Sequence, residues 1–369
     1  MGIALASATA VADGGDVRRD HGFHLVAVKA VVNETHDTRS FVLDIPDDLR
    51  HTFRYRAGQF CTFRARIADD DVLRSYSMSS APEIDDDLTV TVKRVPDGLV
   101  SNWFNDRVSA GDLVEVTRPA GVFCTREGDH PVIAFCGGSG VTPVISIAKS
   151  VLATSRRPLR MLYANRDRRS VIFVDELEQL HQRHGDHFDL RHHLDTDGGF
   201  LDGDTIAAFV GETRNADFYI CGPGPFMDLV ETTLLDLGVD SERILIERFV
   251  VPDPAVEPSR GEATTDAGAG TDGGTELPES LTLILNGKSH SVAYQPGDTI
   301  LETARRGGIA APYSCEAGNC ATCMALLRDG TATMRANNAL TEDEIEEGWV
   351  LTCQALPKGR SVTVEYEAL

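Results

Sequence analysis

Cys315-Glu316-Ala317-Gly318-Asn319-Cys320-Ala321-Thr322-Cys323, completed downstream by Cys353, is the stretch from which the chain is read. A C-x4-C-x2-C run with one distant cysteine is the spacing that wraps a [2Fe–2S] cluster with four thiolates, Cys315, Cys320, Cys323 and Cys353. Small residues at Ala317, Gly318, Ala321 and Thr322 let backbone amides approach and hydrogen-bond sulfur, which tunes its potential. The rival, a structural zinc site, prefers paired C-x2-C knuckles and fits this spacing poorly. A centre that accepts one electron at a time must be fed and must deliver. The rest of the chain is therefore read for a donor and an exit.

The 369 residues suffice for two or three domains at about 100–200 residues each. Hydrophobic and charged fractions of 42% and 25% are those of a globular protein. No run approaches the roughly 18 apolar residues of a membrane helix. No basic region precedes the apolar Ile3–Val11, so the start of the chain reads as a leader without order rather than a signal peptide, and a cytoplasmic location is expected. In a reducing cytoplasm, clustered thiols among the eight cysteines point to a metal rather than to disulfides. A formal charge of −22 argues against a nucleic-acid partner and is compatible with a basic patch on a protein.

Taken in order, residues 1–22 carry no period. From 23 to 128, short alternating runs (His24–Val32, Thr38–Ile45, Gln59–Ala65, Leu73–Ser77, Leu88–Arg94, Leu113–Thr117) predict an antiparallel barrel. From 129 to 251 the rhythm becomes strand, turn, helix: Val132–Phe135, Gly137–Gly140, then a helix over Thr142–Ala153. Strands at Arg160–Tyr163, Phe188–His192 and Asp217–Cys221 alternate with helices near Phe173–His184, Asp202–Phe209 and Pro225–Leu237, which predicts a parallel sheet covered on both faces. Residues 252–280 are rich in Pro, Gly, Ala, Thr and acids and read as a flexible linker. The last domain, 281–369, opens with strands Leu281–Leu285 and Ser289–Ala293 joined by Asn286-Gly287, a strong hairpin signal, and continues with a helix over Thr299–Arg306.

Four further motifs carry chemistry. Arg74-Ser75-Tyr76-Ser77 ends a barrel strand with a phosphate-binding fork, an aromatic ring and a hydroxyl. Gly98-Leu99-Val100-Ser101 precedes a helix expected over Ser101–Arg107, with Ser101 as its N-cap and its amides available to a pyrophosphate. Gly137-Gly138-Ser139-Gly140-Val141-Thr142-Pro143 and Cys221-Gly222-Pro223-Gly224-Pro225 are strand-to-helix turns at strand carboxyl ends, where a dinucleotide can approach the backbone.

Together these motifs resemble the ferredoxin–NADP reductase superfamily, from about Phe23 to Phe249. The residues after Leu281, with Pro312-Tyr313-Ser314 before the first ligand and Leu351-Thr352-Cys353-Gln354 around the last, resemble a plant-type ferredoxin. The resemblance implies a multidomain architecture: an antiparallel β-barrel flavin domain, an α/β parallel-sheet nicotinamide domain and a β-grasp [2Fe–2S] ferredoxin domain. The domain order is that of oxygenase reductases. Thr91-Val92-Lys93-Arg94, Tyr163-Ala164-Asn165-Arg166-Asp167, Arg169-Ser170-Val171-Ile172-Phe173 and Cys221–Met227 are especially similar to the reductases of 3-ketosteroid 9α-hydroxylases; phenylacetyl-CoA epoxidase reductases share the order.

That resemblance implies FAD, with Arg74 on its phosphate, Tyr76 on the ring, Ser77 near the reactive nitrogen, Gly98 and Ser101 at the pyrophosphate, and Ser75, Val92 and Lys93 nearby. Gly138, Gly140, Thr142, Pro143, Cys221, Gly222 and Pro223 would line the nicotinamide site, with Ser77, Thr142 and Cys221 as its catalytic residues. Asn165 and Arg166 would face the adenosine ribose, and NADH is preferred to NADPH because Asp167 sits among Arg166, Arg168 and Arg169. Phe249 would lie near the flavin. Electrons would pass from NADH through FAD and the cluster to a terminal oxygenase, a Rieske-type 3-ketosteroid 9α-hydroxylase, with the linker letting the last domain move between flavin and partner. The alternatives are a reductase for an aromatic or phenylacetyl-CoA oxygenase, and a redox-inactive module that holds zinc and binds a partner. Cys61, Cys124 and Cys136 read as buried inert thiols. His181, His184, His187, His192 and His193 read as surface or strand residues, and Asp69-Asp70-Asp71 and Asp85-Asp86-Asp87 as solvated loops.

Overall fold

The structure is a computed structural model that describes residues 23–68, 70–249, 277–313, 316, 318, 321–337 and 339–366. The expected leader lies outside these residues, as does the expected linker up to residue 276.

Six strands form the first sheet: β1 (Phe23–Thr35), β2 (Thr38–Asp44), β3 (Phe60–Ile67), β4 (Asp70–Ser77), β5 (Leu88–Lys93) and β6 (Leu113–Thr117), in the order β4-β3-β6-β1-β2-β5. The Met78–Val90 bridge and the Ser79 N–H donating to the Thr89 carbonyl at 2.9 Å close the two edges into a barrel. Strand alternation sends Phe41, Leu43, Cys61, Phe63, Val90 and Val92 into its core. Helix α1 (Leu99–Arg107) plugs one end with Phe104, whose ring meets Phe41 and Phe63 edge-on at 5.0 and 5.2 Å. The expected acidic loops are corrected in part. Asp71 belongs to β4 and pairs with Arg66 at 3.0 Å, and Asp70 also falls in that strand, whereas Asp69 lies outside the described residues.

The second sheet is wholly parallel: β7 (Val132–Gly137), β8 (Leu159–Asn165), β9 (Phe188–Leu194), β10 (Asp217–Cys221) and β11 (Ile244–Glu247), in the order β11-β10-β7-β8-β9. Val132, Ala134 and Cys136 face one apolar core while Ile133 and Phe135 face another, so both faces need cover. Helices α2 (Val141–Thr154), α3 (Val174–His184), α4 (Asp195–Gly198), α5 (Gly203–Val210) and α6 (Gly224–Asp236) fill the connections. Every residue of α2 from Val141 to Leu152 is buried, because one side of the helix packs on the sheet and another on the barrel. Ser146 Oγ donates to the Ser80 carbonyl at 2.6 Å, and Lys149 Nζ reaches the Ser79 carbonyl, Asp85 and Glu176 at 3.2, 3.0 and 2.6 Å. Asp85 therefore anchors the seam and is not a solvated loop residue.

The third sheet contains β12 (Ser280–Leu285), β13 (Lys288–Ala293), β14 (Met324–Met334), β15 (Trp349–Leu351) and β16 (Ala355–Glu365), ordered β13-β12-β16-β14-β15 with β12 and β16 parallel. This mixed sheet, crossed by α7 (Ile300–Arg306), is the expected β-grasp. Strand β12 includes Ser280, the last residue assigned to the linker. Asn286 and Gly287 both have positive φ, 51° and 71°, as a type I′ hairpin requires. A short helix, α8 (Glu342–Glu346), starts in a capping box in which Thr341 Oγ1 accepts from Glu344 N–H and Glu344 Oε2 accepts from Thr341 N–H at 2.8 Å.

Cys61, Cys124 and Cys136 are buried, as their apolar neighbours predict. Burial pushes the Cys124 thiol from 9.0 up to about 11 and raises Cys61 and Cys136 further. The unfolded chain therefore ionises first. The Cys124 contribution is complete below about pH 9 and is lost as pH rises through about 11, so the urea midpoint is expected to fall between about pH 9 and 11. A flat midpoint over that range contradicts the burial argument.

Candidate functional site

Strand β4 delivers its four motif residues to different surroundings. Arg74 Nη1 donates to the Leu73 carbonyl at 2.7 Å. Ser75 Oγ is 2.9 Å from Thr62 Oγ1 on the neighbouring strand. The Tyr76 ring stands edge-on to Phe104 at 5.4 Å, and burial raises its hydroxyl pKa. Ser77, 2% exposed, has a buried Oγ with no hydrogen-bond partner among the described residues. Such a hydroxyl costs about 1–3 kcal/mol unless a ligand satisfies it.

Beside β4, Val92 points its side chain into the barrel core and its carbonyl accepts from Asn105 Nδ2 at 3.1 Å. Lys93 Nζ lies 3.8 Å from Asp37, and burial outweighs that carboxylate to pull the ammonium below its ordinary value. Helix α1 begins at Leu99 with Gly98 as its N-cap, so Ser101 sits within the first turn and is not the cap. Its Oγ accepts from the Val95 N–H at 3.1 Å, and a Cβ on Gly98 would stand 2.6 Å from it.

The two glycine turns of the parallel sheet abut. A Cβ on Gly140 would overlap the Cys221 carbonyl and lie 2.7 Å from Gly222 N, and one on Gly222 would lie 2.8 Å from Phe226. Gly138, with φ +54°, faces open space where an added Cβ meets nothing within 4 Å. Thr142 Oγ1 donates to the Ser139 carbonyl at 3.0 Å, and Pro143 is buried behind it. Pro223 is the N-cap residue of α6. Cys221 pairs with Cys136 on the adjacent strand, is 0% exposed, and burial holds its thiol protonated. The thiol is therefore neutral and buried at the abutting turns.

At the end of β8, Asn165 is 5% exposed and both polar atoms of its amide lack a hydrogen-bond partner of good geometry. Arg166 is exposed and lies 3.8 Å from Asp37, while Asp167 accepts from the Ser170 hydroxyl at 2.9 Å and from the Ser170 N–H at 3.0 Å, which together lower its pKa. Phe249 follows β11, where Glu247 pairs with Cys221, and is 41% exposed.

In the third sheet, Cys323 and Cys353 are buried in one core. Thr352 ties them together: its N–H and Oγ1 both donate to the Cys323 carbonyl, at 3.1 and 2.7 Å. Cys315 and Cys320 lie outside the described residues, as do Ser314, Ala317 and Asn319. The loop is gripped at Glu316, whose carboxylate takes two 2.7 Å bonds from Arg305 and whose carbonyl accepts from Gln354 Nε2 at 2.7 Å. Gly318 has φ +77°, and a Cβ there would meet the Ala336 carbonyl at 2.8 Å. Arg305 was not legible as a supporting residue, since only its placement in three dimensions brings it to the loop, and the bonds that Thr352 and Gln354 make from beside Cys353 were not legible either.

The chemistry of these residues suits the groups the fold implies. The unsatisfied Ser77 hydroxyl fits a flavin, the unsatisfied Asn165 amide and the open backbone at Gly138 fit a dinucleotide, and two co-located thiols fit a thiolate-held cluster.

Three family models match in that order along the chain: an oxidoreductase FAD-binding domain over residues 25–124, an oxidoreductase NAD-binding domain over 135–232 and a 2Fe-2S iron-sulfur cluster binding domain over 283–358. The zinc reading is thereby set aside. The ferredoxin reductase component of a 3-ketosteroid-9-alpha-monooxygenase from Rhodococcus rhodochrous is 38% identical over 93% of this chain and 96% of its own. One of the subunits of the 1,2-phenylacetyl-CoA epoxidase from Escherichia coli is 30% identical over 94% and 98%. The crystal structure of phthalate dioxygenase reductase shares the fold, with a TM-score of 0.57 and 24% identity over 94% of this chain and 98% of that one. No helix among the described residues is long and apolar enough to cross a membrane. The chain belongs to the family of oxygenase reductases that carry an FAD-binding, an NAD-binding and a [2Fe–2S]-binding domain in one polypeptide.

Proposed function

We propose that the chain is the reductase component of a 3-ketosteroid 9α-hydroxylase, a Rieske-type terminal oxygenase, and works in the cytoplasm. The observation that carries this reading is the 38% identity to the Rhodococcus component, sustained over nearly the full length of both chains. FAD, when bound, takes two electrons from NADH as hydride and releases them singly, which a [2Fe–2S] centre accepts one at a time. The overall balance is NADH to NAD+, one proton and two electrons.

The side chains bind and orient. Arg74 and the first-turn amides of α1 beyond Gly98 hold the flavin phosphates, Tyr76 offers a ring, and the unsatisfied Ser77 Oγ supplies a hydrogen bond at the reactive edge. Gly138 and the N-terminus of α2 at Thr142 receive the nicotinamide, and Asn165 the ribose. Phe249 covers the ring, and Cys315, Cys320, Cys323 and Cys353 hold iron. Domain limits of 23–128, 129–251 and 281–369 suit these roles, with the last moved to include Ser280.

S77A is expected to slow flavin bleaching by NADH about tenfold with little change in NADH affinity, measured by stopped-flow absorbance. An unchanged bleaching rate removes Ser77 from the reaction. The Asp37 and Asp167 carboxylates beside Arg166 favour NADH over NADPH, so kcat/KM is expected to be higher for NADH. A higher value for NADPH overturns that preference. The function itself is tested by mixing the NADH-reduced protein with purified 3-ketosteroid oxygenase. Substrate hydroxylation supports the reading, and support of only a phenylacetyl-CoA or aromatic oxygenase replaces it.

A further inference from the structure

Arg118, just beyond β6, and Glu344, in α8, form an ion pair between the barrel and the ferredoxin sheet, with side chains only 14% and 2% exposed. Beside this pair, Ala321 of the cysteine loop packs on Phe60 and Ala120 of the barrel. Phe60 is the cross-strand partner of Ser77, and it exchanges backbone hydrogen bonds of 2.9 and 2.8 Å with Ala120. Its ring fits because residue 121 is glycine: a Cβ there, at φ +111°, would stand 2.8 Å from Phe60 Cε1. The Phe60 ring is thus held between barrel backbone and cysteine loop, next to the strand position of Ser77.

We propose that Arg118 and Glu344 are positioning residues that seat the cysteine loop on Phe60 and so set the path by which electrons leave the flavin site. The proposal rests on reading the chain as a flavin-to-cluster reductase. An ion pair at such low exposure is directional in a way that a solvated one is not, since either charge left alone is poorly hydrated. The two oxygens of Glu344 divide the work: Oε2 caps its own helix through the Thr341 N–H, and Oε1 faces Arg118. Glutamine also serves in a capping box, so E344Q removes the charge across the seam and leaves the cap in place. No new chemistry is required. The two electrons of NADH still leave singly, and its hydride proton still goes to solvent.

The test uses the full-length holoprotein, wild type against E344Q, R118Q and R118K. It has three readouts: stopped-flow flavin bleaching by NADH, rapid-freeze paramagnetic resonance of the reduced cluster, and small-angle scattering. In E344Q and R118Q, flavin bleaching is expected to stay within about twofold, while cluster reduction falls about tenfold or more and the radius of gyration rises. R118K, which keeps the charge, is expected to retain most of the cluster rate. An unchanged cluster rate in both E344Q and R118Q overturns the proposal whatever the scattering shows. Failure of NADH to bleach the wild-type flavin would instead remove the reading beneath it.

Discussion

Replacing Cys323 with serine is expected to abolish electron delivery beyond the flavin while NADH still bleaches the flavin at close to the wild-type rate. Serine is a poor soft ligand, and cluster retention depends on all four thiolates. The consequence should extend to stability, because Cys323 is 2% exposed and its side chain lies in the core of the third sheet, where a serine hydroxyl would be buried. Iron content, the paramagnetic signal of the reduced protein and reduction of a one-electron acceptor are the measurements. Full iron content and normal transfer in C323S would show that Cys323 is not a ligand. The parallel variant C353S is expected to behave alike, and a difference between them would separate ligation from packing.

G140A is expected to destabilise the nucleotide-binding sheet by about 3 kcal/mol and to abolish flavin bleaching by NADH. The added methyl would overlap the Cys221 carbonyl and crowd Gly222 N, and both are backbone groups at the end of an interior strand that cannot swing aside as a flexible side chain could. The two turns would have to part, at the point where the nicotinamide is expected to lie. G138A is the internal control: its space is open, and only a left-handed φ of +54° opposes a side chain, a cost of about 1 kcal/mol. Thermal melting of both variants compares them directly. Equal melting temperatures for G140A and wild type would mean that the turns yield without cost.

How legible each part was follows from what enforces it. The cysteine spacing could be read because a four-coordinate cluster constrains the chain more tightly than any fold does. The barrel strands and the βα units were legible because burial on one face or two imposes a period of two, or a continuous apolar run. Strands β14 and β16 have no clear sequence pattern. They are long, interrupted by register shifts near Asp329, and carry Gly330, Pro357 and Gly359, residues that weaken a strand pattern. Strand β11 is four residues long and half-buried throughout, so it leaves no pattern.

Within the site, residue types were legible but their partners were not. Ser101 has the chemistry of a cap, yet Gly98 takes that place because the helix starts earlier. Val92 belongs to a motif, yet strand alternation turns it inward. Asp85 sits in a run of aspartates that looks solvated, and only the approach of α2 shows that it meets Lys149. Arg118 and Glu344 are far apart in the chain, and no periodicity links them.

Helix α2 carries an implication for how the chain came to be assembled. A helix buried on every side belongs to neither of the bodies it touches, since Ser146, Ile147 and Lys149 meet barrel residues while the rest of it lies on the parallel sheet. Cutting the gene near residue 128 would leave one fragment with a naked apolar helix and the other with an uncovered seat for it, and both would invite aggregation. Recombination that shuffles this chain's parts should therefore keep residues 23–249 as a single inherited unit and leave the third sheet as the exchangeable one.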